Sequence, residues 1–222
     1  MISLGGSVLA PAEPDAAYVK RLAAELRALS ATYRLFVVTG GGRAARAYIE
    51  AGRALGASEA FLDRLGIKVT RLNARLLIAA LGGVDADELP HTLEEAMTVG
   101  RHANLVVMGG TAPGHTTDAV AAELAELAHA ARVVNATSVD GVYTADPAKD
   151  STAKRLERAS YDDLVRLSGE AHTSAGPSIV FDPKAARIVA KARIPLAVVN
   201  GRDLEALRNA VLGKPFHGTL IG

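Results

Sequence analysis

The sequence contains no cysteine and no tryptophan, and aromatic residues make up only 4% of its 222 positions. Without cysteine there are no disulfides, no cysteine nucleophile and no thiolate metal site. With so few aromatics, the core must be built from Ala, Val, Leu and Ile, which supply most of the 49% hydrophobic content. Charge of one sign is not in excess: the formal net charge is +1, which excludes a general nucleic-acid binder that neutralises phosphates with surplus cations. Basic residues still cluster locally, as at Arg43, Arg46 and Arg53. No run reaches the roughly 18 uninterrupted apolar residues of a membrane helix, and no basic segment followed by an apolar one marks a signal peptide. A cytoplasmic protein with no membrane partner is the expectation. Six histidines are present, none in the close pairing of an H-E-x-x-H metal site. No glycine-rich loop ends in Gly-Lys-Ser/Thr and no GxGxxG occurs, which argues against a P-loop kinase and a nicotinamide enzyme.

What is present is an alternation of short β-type runs with longer helical ones. That pattern predicts an α/β fold with a mainly parallel sheet covered by helices. Met1–Leu4, Leu35–Thr39, Asn104–Met108, Arg132–Ala136 and Leu196–Asn200 read as strands. Helical spacing marks Asp15–Ser30, Ala44–Leu55, Thr70–Leu81, His91–Gly100 and Thr117–Ala131. Ser160–Leu167, Pro183–Ala192 and Leu204–Leu212 complete the helices. There is no internal repeat or linker, so one continuous domain with two lobes is expected.

Four loops share one expected design, an apolar strand followed by glycine or small polar residues and then a helix. Gly5-Gly6-Ser7 is the first. Gly40-Gly41-Gly42 follows Val37-Val38-Thr39, and backbone without side chains lets N–H groups approach a phosphate at a helix N-terminus. Arg43 and Arg46 add cationic donors. The third, Gly109 to Thr117, offers backbone donors, hydroxyls and His115. The fourth begins at Thr137-Ser138 and continues through Val139-Asp140-Gly141-Val142-Tyr143-Thr144-Ala145-Asp146-Pro147. It carries an aromatic ring for a base and carboxylates and hydroxyls for ribose, phosphate and metal. Each loop taken singly has a plainer reading as a tight turn or surface connection. Several phosphate-compatible loops at strand ends point to two phosphorylated ligands meeting, the arrangement phosphoryl transfer requires.

Taken in order along the chain, these segments resemble the amino-acid kinase superfamily and, within it, the archaeal-type uridylate (UMP) kinases. The resemblance rests on Gly5-Gly6-Ser7-Val8-Leu9, Val38 to Gly42 with Ala45-Arg46-Ala47-Tyr48, and Leu65-Gly66-Ile67 with Thr70 to Ala74. Met108 to Thr111, Pro113 to Ala119, Thr137 to Asp150 and Asp182-Pro183 with Ala185-Ala186 complete it. It implies a three-layer α/β/α sandwich with an eight-stranded central sheet, and ATP-dependent conversion of UMP to UDP in pyrimidine biosynthesis. An acceptor lobe would span about residues 1–118 and an ATP lobe about 119–222. Gly41, Asp63 and the loop Thr111, Ala112, Pro113, Gly114, His115, Thr116 and Thr117 would bind UMP, Asp63 at the ribose. Gly6, Ser7, Gly42 and Arg46 would meet the ATP phosphates, with Thr137, Ser138, Tyr143 and Asp146 framing its nucleoside. Arg46 and Asp182 would be catalytic, with Mg²⁺ accompanying ATP, in a homohexamer built as a trimer of dimers.

One departure stands out. Many amino-acid kinases carry a first-strand lysine that stabilises the transferring phosphoryl group, and this chain has Ile2-Ser3-Leu4 there. Charge neutralisation then falls to Mg²⁺, Arg46 and backbone donors. Asp182 before Pro183 reads equally as a helix N-cap or as a group aligning the site. Asp85, Asp87 and Glu88 read as a solvated turn, and Lys149, Lys154, Arg155 and Arg158 as surface charges. The rival readings are another phosphotransferase of the superfamily, such as an isopentenyl phosphate kinase-like enzyme, and a nucleotide-binding protein without turnover.

Overall fold

A computed structural model describes residues 1–83, 89–145, 150–169 and 181–222. In chain order the elements are β1 (Ile2–Leu4), α1 (Gly6–Leu9), α2 (Ala16–Ser30), β2 (Leu35–Thr39), α3 (Gly42–Ala54) and α4 (Glu59–Ala80). There follow α5 (Leu93–Val99), β3 (Leu105–Met108), α6 (Thr117–Leu127), β4 (Val133–Thr137), β5 (Val142–Tyr143) and β6 (Arg155–Leu156). The chain ends with β7 (Arg158–Ala159), α7 (Tyr161–Ser168), α8 (Pro183–Ala192), β8 (Leu196–Asn200), α9 (Leu204–Leu212) and β9 (Thr219–Ile221).

The main sheet has the order β3-β2-β1-β4-β8-β9-β7. From β3 to β8 every pairing is parallel, with Ile2 opposite both Val37 and Val134. Strands buried on both faces lose the in–out alternation of polarity and become near-continuous apolar runs, which is why Leu-Phe-Val-Val and Leu-Val-Val-Met are legible as strands. Successive side chains still point to opposite faces. Val37, Val107 and Val134 pack with Leu22, Leu26, Leu77 and Leu207 on one side. Val38, Val106, Met108 and Val133 pack with Val120, Leu124, Val189 and Leu196 on the other. Helices α2, α4 and α9 therefore cover one face and α5, α6 and α8 the other, giving the three-layer sandwich.

Strand order decides where a ligand can sit. From β1 the chain moves to β2 and β3 on one side, then crosses back to β4 on the other. The sheet thus reverses its winding beside β1, and the crevice at the carboxyl ends of the strands opens there. Gly5, Gly40, Gly109, Ser138 and Gly201 all lie at those ends.

Several boundaries differ from those the sequence predicts. The helix expected from Thr70 starts eleven residues earlier, at Glu59, where the Ser58 side chain accepts from the Phe61 N–H. Gly66 lowers helix propensity there and Phe61 is half exposed, so the apolar stripe is broken. Gly66 serves packing instead: a Cβ would lie 3.2 Å from Ile49 Cδ1 on α3. Helix α6 ends at Leu127 rather than Ala131, with His129 at φ 48° turning the chain away. The sheet holds seven strands among the described residues, with β5 and β6 pairing separately, where the resemblance implied eight. Strand β9 is antiparallel to β8 and only three residues long, too short to show a period. Asp85, Asp87 and Glu88 lie outside the described residues.

Candidate active site

The first and second glycine loops meet backbone to backbone. The Gly5 N–H donates to Ala136 O at 2.8 Å, and the Gly40 N–H donates to Leu4 O at 2.8 Å, carrying the sheet ladder one residue past β1 and β2. A Cβ on Gly6 would fall 2.3 Å from Gly42 N and 2.5 Å from Gly40 O. A Cβ on Gly42, which has φ +63°, would fall 2.5 Å from Gly6 C. No side chain fits between the loops. The N-termini of α1 and α3 are thereby brought together, and α3 directs its positive end into the crevice.

Helix α4 fastens this pair to the third loop. Asn73 Nδ2 donates to Gly40 O at 2.8 Å, and Thr39 Oγ1 donates to Thr70 O at 2.8 Å. Thr70 Oγ1 accepts the Gly110 N–H at 2.7 Å. Arg71 donates from Nε to Gly110 O at 3.1 Å and from Nη2 to Thr111 O at 3.0 Å. Between the fastened loops lies a cleft of ≈ 280 Å³. Of the residues expected at the acceptor, Gly41, Asp63, Ala112, Pro113, Gly114, His115, Thr116 and Thr117 line it, together with Gly42 and Arg46. Thr111 does not line it; its carbonyl is held by Arg71. Asp63 Oδ2 accepts the Gly114 N–H at 3.0 Å.

Beneath the loops, Ser3 Oγ donates to Asp118 Oδ1 at 2.6 Å, across 115 residues of sequence. Burial pushes the Asp118 carboxyl up to about 6; the Ser3 hydrogen bond opposes this and the neighbouring Asp182 charge adds to it. Asp182 is itself buried and caps α8, its Oδ1 accepting from Lys184 N at 2.8 Å and Ala185 N at 3.0 Å. Its two anticipated readings are therefore compatible, since the cap lies next to Asp118. A second cleft of ≈ 410 Å³ opens on the α8 side of the third loop, where Asp63 and His115 face Asp182, Lys184 and Arg187.

Beyond β4 lies a third cleft, of ≈ 450 Å³, lined by Ser138, Val139, Asp140, Tyr143, Asn200, Asp203 and His217. Tyr143 OH donates to Asp140 Oδ1 at 2.7 Å, and His217 Nε2 lies 3.0 Å from Asp140 Oδ2. Burial works against ionisation of Asp140, but these hydrogen bonds outweigh it and hold the carboxyl below its usual range. Thr137 closes β4, its carbonyl accepting the Gly201 N–H at 2.8 Å. Arg202 reaches from the following turn to Val8 O at 3.1 Å, pairs with Asp15 and stacks 4.4 Å from the Tyr18 ring, anchoring the end of α1. Asp146 lies outside the described residues. A larger cleft, ≈ 850 Å³, lies behind this one between α9 and β7, with Arg132, Arg158 and Lys214 set against Glu157 and Glu205.

Thr70, Asn73, Asp118, Asn200 and His217 were assigned no role from the sequence. Thr70 and Asn73 did carry a signal, being polar residues one turn apart on the buried face of an amphipathic helix. His217 carried none, because only the tertiary structure brings it to Asp140.

The sequence profile of the Amino acid kinase family matches residues 1–200. The chain is 45% identical over 221 residues to the uridylate kinase of Methanoculleus marisnigri, covering 100% of this chain and 94% of that protein. It is 42% identical over 221 residues to the uridylate kinase of Pyrococcus abyssi, covering 100% of this chain and 98% of that one. Its structure superposes on the crystal structure of uridylate kinase from Archaeoglobus fulgidus with a TM-score of 0.87 at 41% identity, covering 100% and 98% of the two chains.

Proposed function

This chain belongs to the amino acid kinase family, and we propose that within it the protein transfers the γ-phosphoryl group of ATP to UMP, forming ADP and UDP for pyrimidine nucleotide synthesis in the cytoplasm. One observation carries the reading: the side-chain-free contact of Gly6 with Gly40–Gly42 lies between a cleft suited to a nucleoside monophosphate and a cleft suited to a nucleoside. Relatives matched over 94% and 98% of their length bear the name uridylate kinase.

On this reading UMP occupies the ≈ 280 Å³ cleft. The Asp63 carboxylate, which holds the Gly114 N–H in the free protein, accepts from a ribose hydroxyl, and Gly41 and Ala112 to Thr117 enclose base and phosphate, while Thr111, its carbonyl held by Arg71, anchors the root of that loop. ATP enters from the third cleft, with its nucleoside against Tyr143, Ser138 and Thr137. Its phosphates run over Gly6, Ser7 and Gly42 towards Arg46. Transfer is then in-line, with backbone N–H groups and Arg46 stabilising the spreading negative charge. Asp182 positions the N-terminus of α8 and, with Asp118 and Ser3, forms the floor of the site. Mg²⁺ would come with the nucleotide, bound chiefly by its phosphates. Magnesium commonly keeps phosphate and water ligands in such sites. The acceptor lobe spans about 1–118 and the ATP lobe about 119–222.

We also propose a homo-oligomer, a hexamer built from dimers. Tyr48, Leu55, Phe61 and Leu72 are exposed on and beside α3 and α4, and Leu55 is 87% exposed. A second copy of the chain would cover this apolar surface; light scattering at several concentrations tests it.

The deciding experiment is coupled ADP release with ATP and Mg²⁺, offering UMP, CMP, AMP, GMP and isopentenyl phosphate in parallel. Turnover with UMP alone is expected. Turnover with another acceptor would overturn the reading of residues 111–117, and silence with every acceptor while ATP still binds would favour a nucleotide-binding protein without turnover.

A further inference from the structure

The acceptor loop is tied at three places among the described residues, and the third tie has no part in the reading above. Its root is held by Thr70 and Arg71, and its tip by Asp63 through the Gly114 N–H. The third tie is a carboxylate on α6. Glu123 Oε2 lies 3.4 Å from His115 Nδ1, and Glu123 Oε1 lies 2.7 Å from Lys184 Nζ. Lys184 Nζ is also 3.3 Å from His115 Nδ1, so the ring nitrogen either donates to Glu123 or accepts from Lys184, and in both cases the Glu123–Lys184 pair holds it. One member belongs to the acceptor loop, one to α6 and one to α8, two residues beyond Asp182.

We infer that Glu123 is a positioning residue for the acceptor nucleotide: through His115 it sets the downstream half of the acceptor loop, and through Lys184 it locks that half to the N-terminus of α8. The inference rests on the proposed acceptor site. Its physical basis is competition at Asp63. In the free protein the Asp63 carboxylate holds the loop tip, and a ribose hydroxyl arriving at that carboxylate competes with the Gly114 N–H. A loop held only by Asp63 would loosen as the nucleotide entered. A second carboxylate, engaged with His115 and Lys184, keeps the next residue in place while Asp63 turns to the ribose. Ordering the loop beforehand removes part of the entropy cost of binding. His115, Glu123 and Lys184 side chains are 35%, 24% and 47% exposed, so the network contributes little to global stability. Its effect should be read in binding rather than in unfolding.

The test uses the full chain with Glu123→Gln and, separately, the double variant Glu123→Leu with Lys184→Leu. The double variant restores α6–α8 packing with an apolar pair but leaves His115 untied. Both are expected to raise KM for UMP about fivefold, near the upper end for a partly exposed ion pair. KM for ATP and the melting temperature should stay close to wild type. Amide hydrogen exchange at residues 111–117 of the free protein should speed up in both variants. A KM for UMP unchanged in Glu123→Gln, or restored to wild type in the double variant, would overturn the inference and leave a plain helix–helix contact. So would equal rises in KM for UMP and for ATP. Exchange needs no turnover, so a wild-type protein inactive on UMP would defeat the proposed function while the loop measurement still judged Glu123.

Discussion

Replacing Gly6 by alanine tests the central geometric claim, that two glycine loops touch through their backbones. The added Cβ would sit 2.3 Å from Gly42 N, 2.5 Å from Gly40 O and 2.5 Å from Gly41 C. All three are backbone atoms, and they belong to loops pinned to the sheet by the Gly5 and Gly40 N–H bonds, so no side chain can swing aside. Overpacking a well-filled site costs about 1–3 kcal/mol, and contact with fixed backbone belongs at the upper end, about 3 kcal/mol. For a chain of this length each kcal/mol moves the melting temperature by about 2–4 °C, so a fall of about 6–12 °C is expected. Gly56→Ala is the control. Gly56 has φ +80° but nothing within 4 Å of an added Cβ, which leaves only left-handed strain of about 1–2 kcal/mol. Thermal unfolding by circular dichroism, followed by ATP titration of the surviving fold, gives both readouts. Gly6→Ala should lose more stability than Gly56→Ala and should bind ATP more weakly. A melting temperature within about 2 °C of wild type for Gly6→Ala would refute the close approach.

Other outcomes follow from individual side chains. Asp63→Ala should raise KM for UMP while ATP binding survives; an unchanged KM for UMP would remove Asp63 from the acceptor site. Arg46→Ala should depress kcat by more than about tenfold, or about 1.4 kcal/mol, whereas a smaller loss would assign charge stabilisation to backbone donors and the metal. Asp118 makes stability depend on pH. Its carboxyl is raised to about 6 from 3.8, so its protonated form favours the folded state. That contribution is complete below about pH 4 and lost as pH rises through about 6, amounting to at most about 3 kcal/mol. Asp118→Asn should remove this slope, and urea midpoints from pH 4 to 7 check it. A constant difference between wild type and variant across that window would rule the slope out.

Much of the fold was legible in the sequence because local chemistry imposes it. Leu35 to Thr39 and Leu196 to Asn200 read as strands because they are apolar runs bounded by turn residues, and the structure keeps them at those limits. The Pro183–Ala192 helix was equally readable, with Asp182 capping it and proline in its first turn. The lining of the ≈ 280 Å³ cleft was legible in part, since Ala112 to Thr117 form one loop of small and polar residues after a strand and the structure sets all six along that cleft. The first half of α4 was not, because Gly66 and the exposed Phe61 interrupt its apolar stripe and its helicity comes from packing on α3.

The sequence by itself determined which segments become strands and helices and which loops lack side chains, because those properties depend on residues a few positions apart. Only the tertiary structure decided which of those loops meet. Ser3 reaches Asp118 across 115 residues, and His217 reaches Asp140 across 77. Gly6 touches Gly42 because β1 lies between β2 and β4 in the sheet. No local periodicity encodes that order; it follows from how the whole chain buries both faces of one parallel sheet.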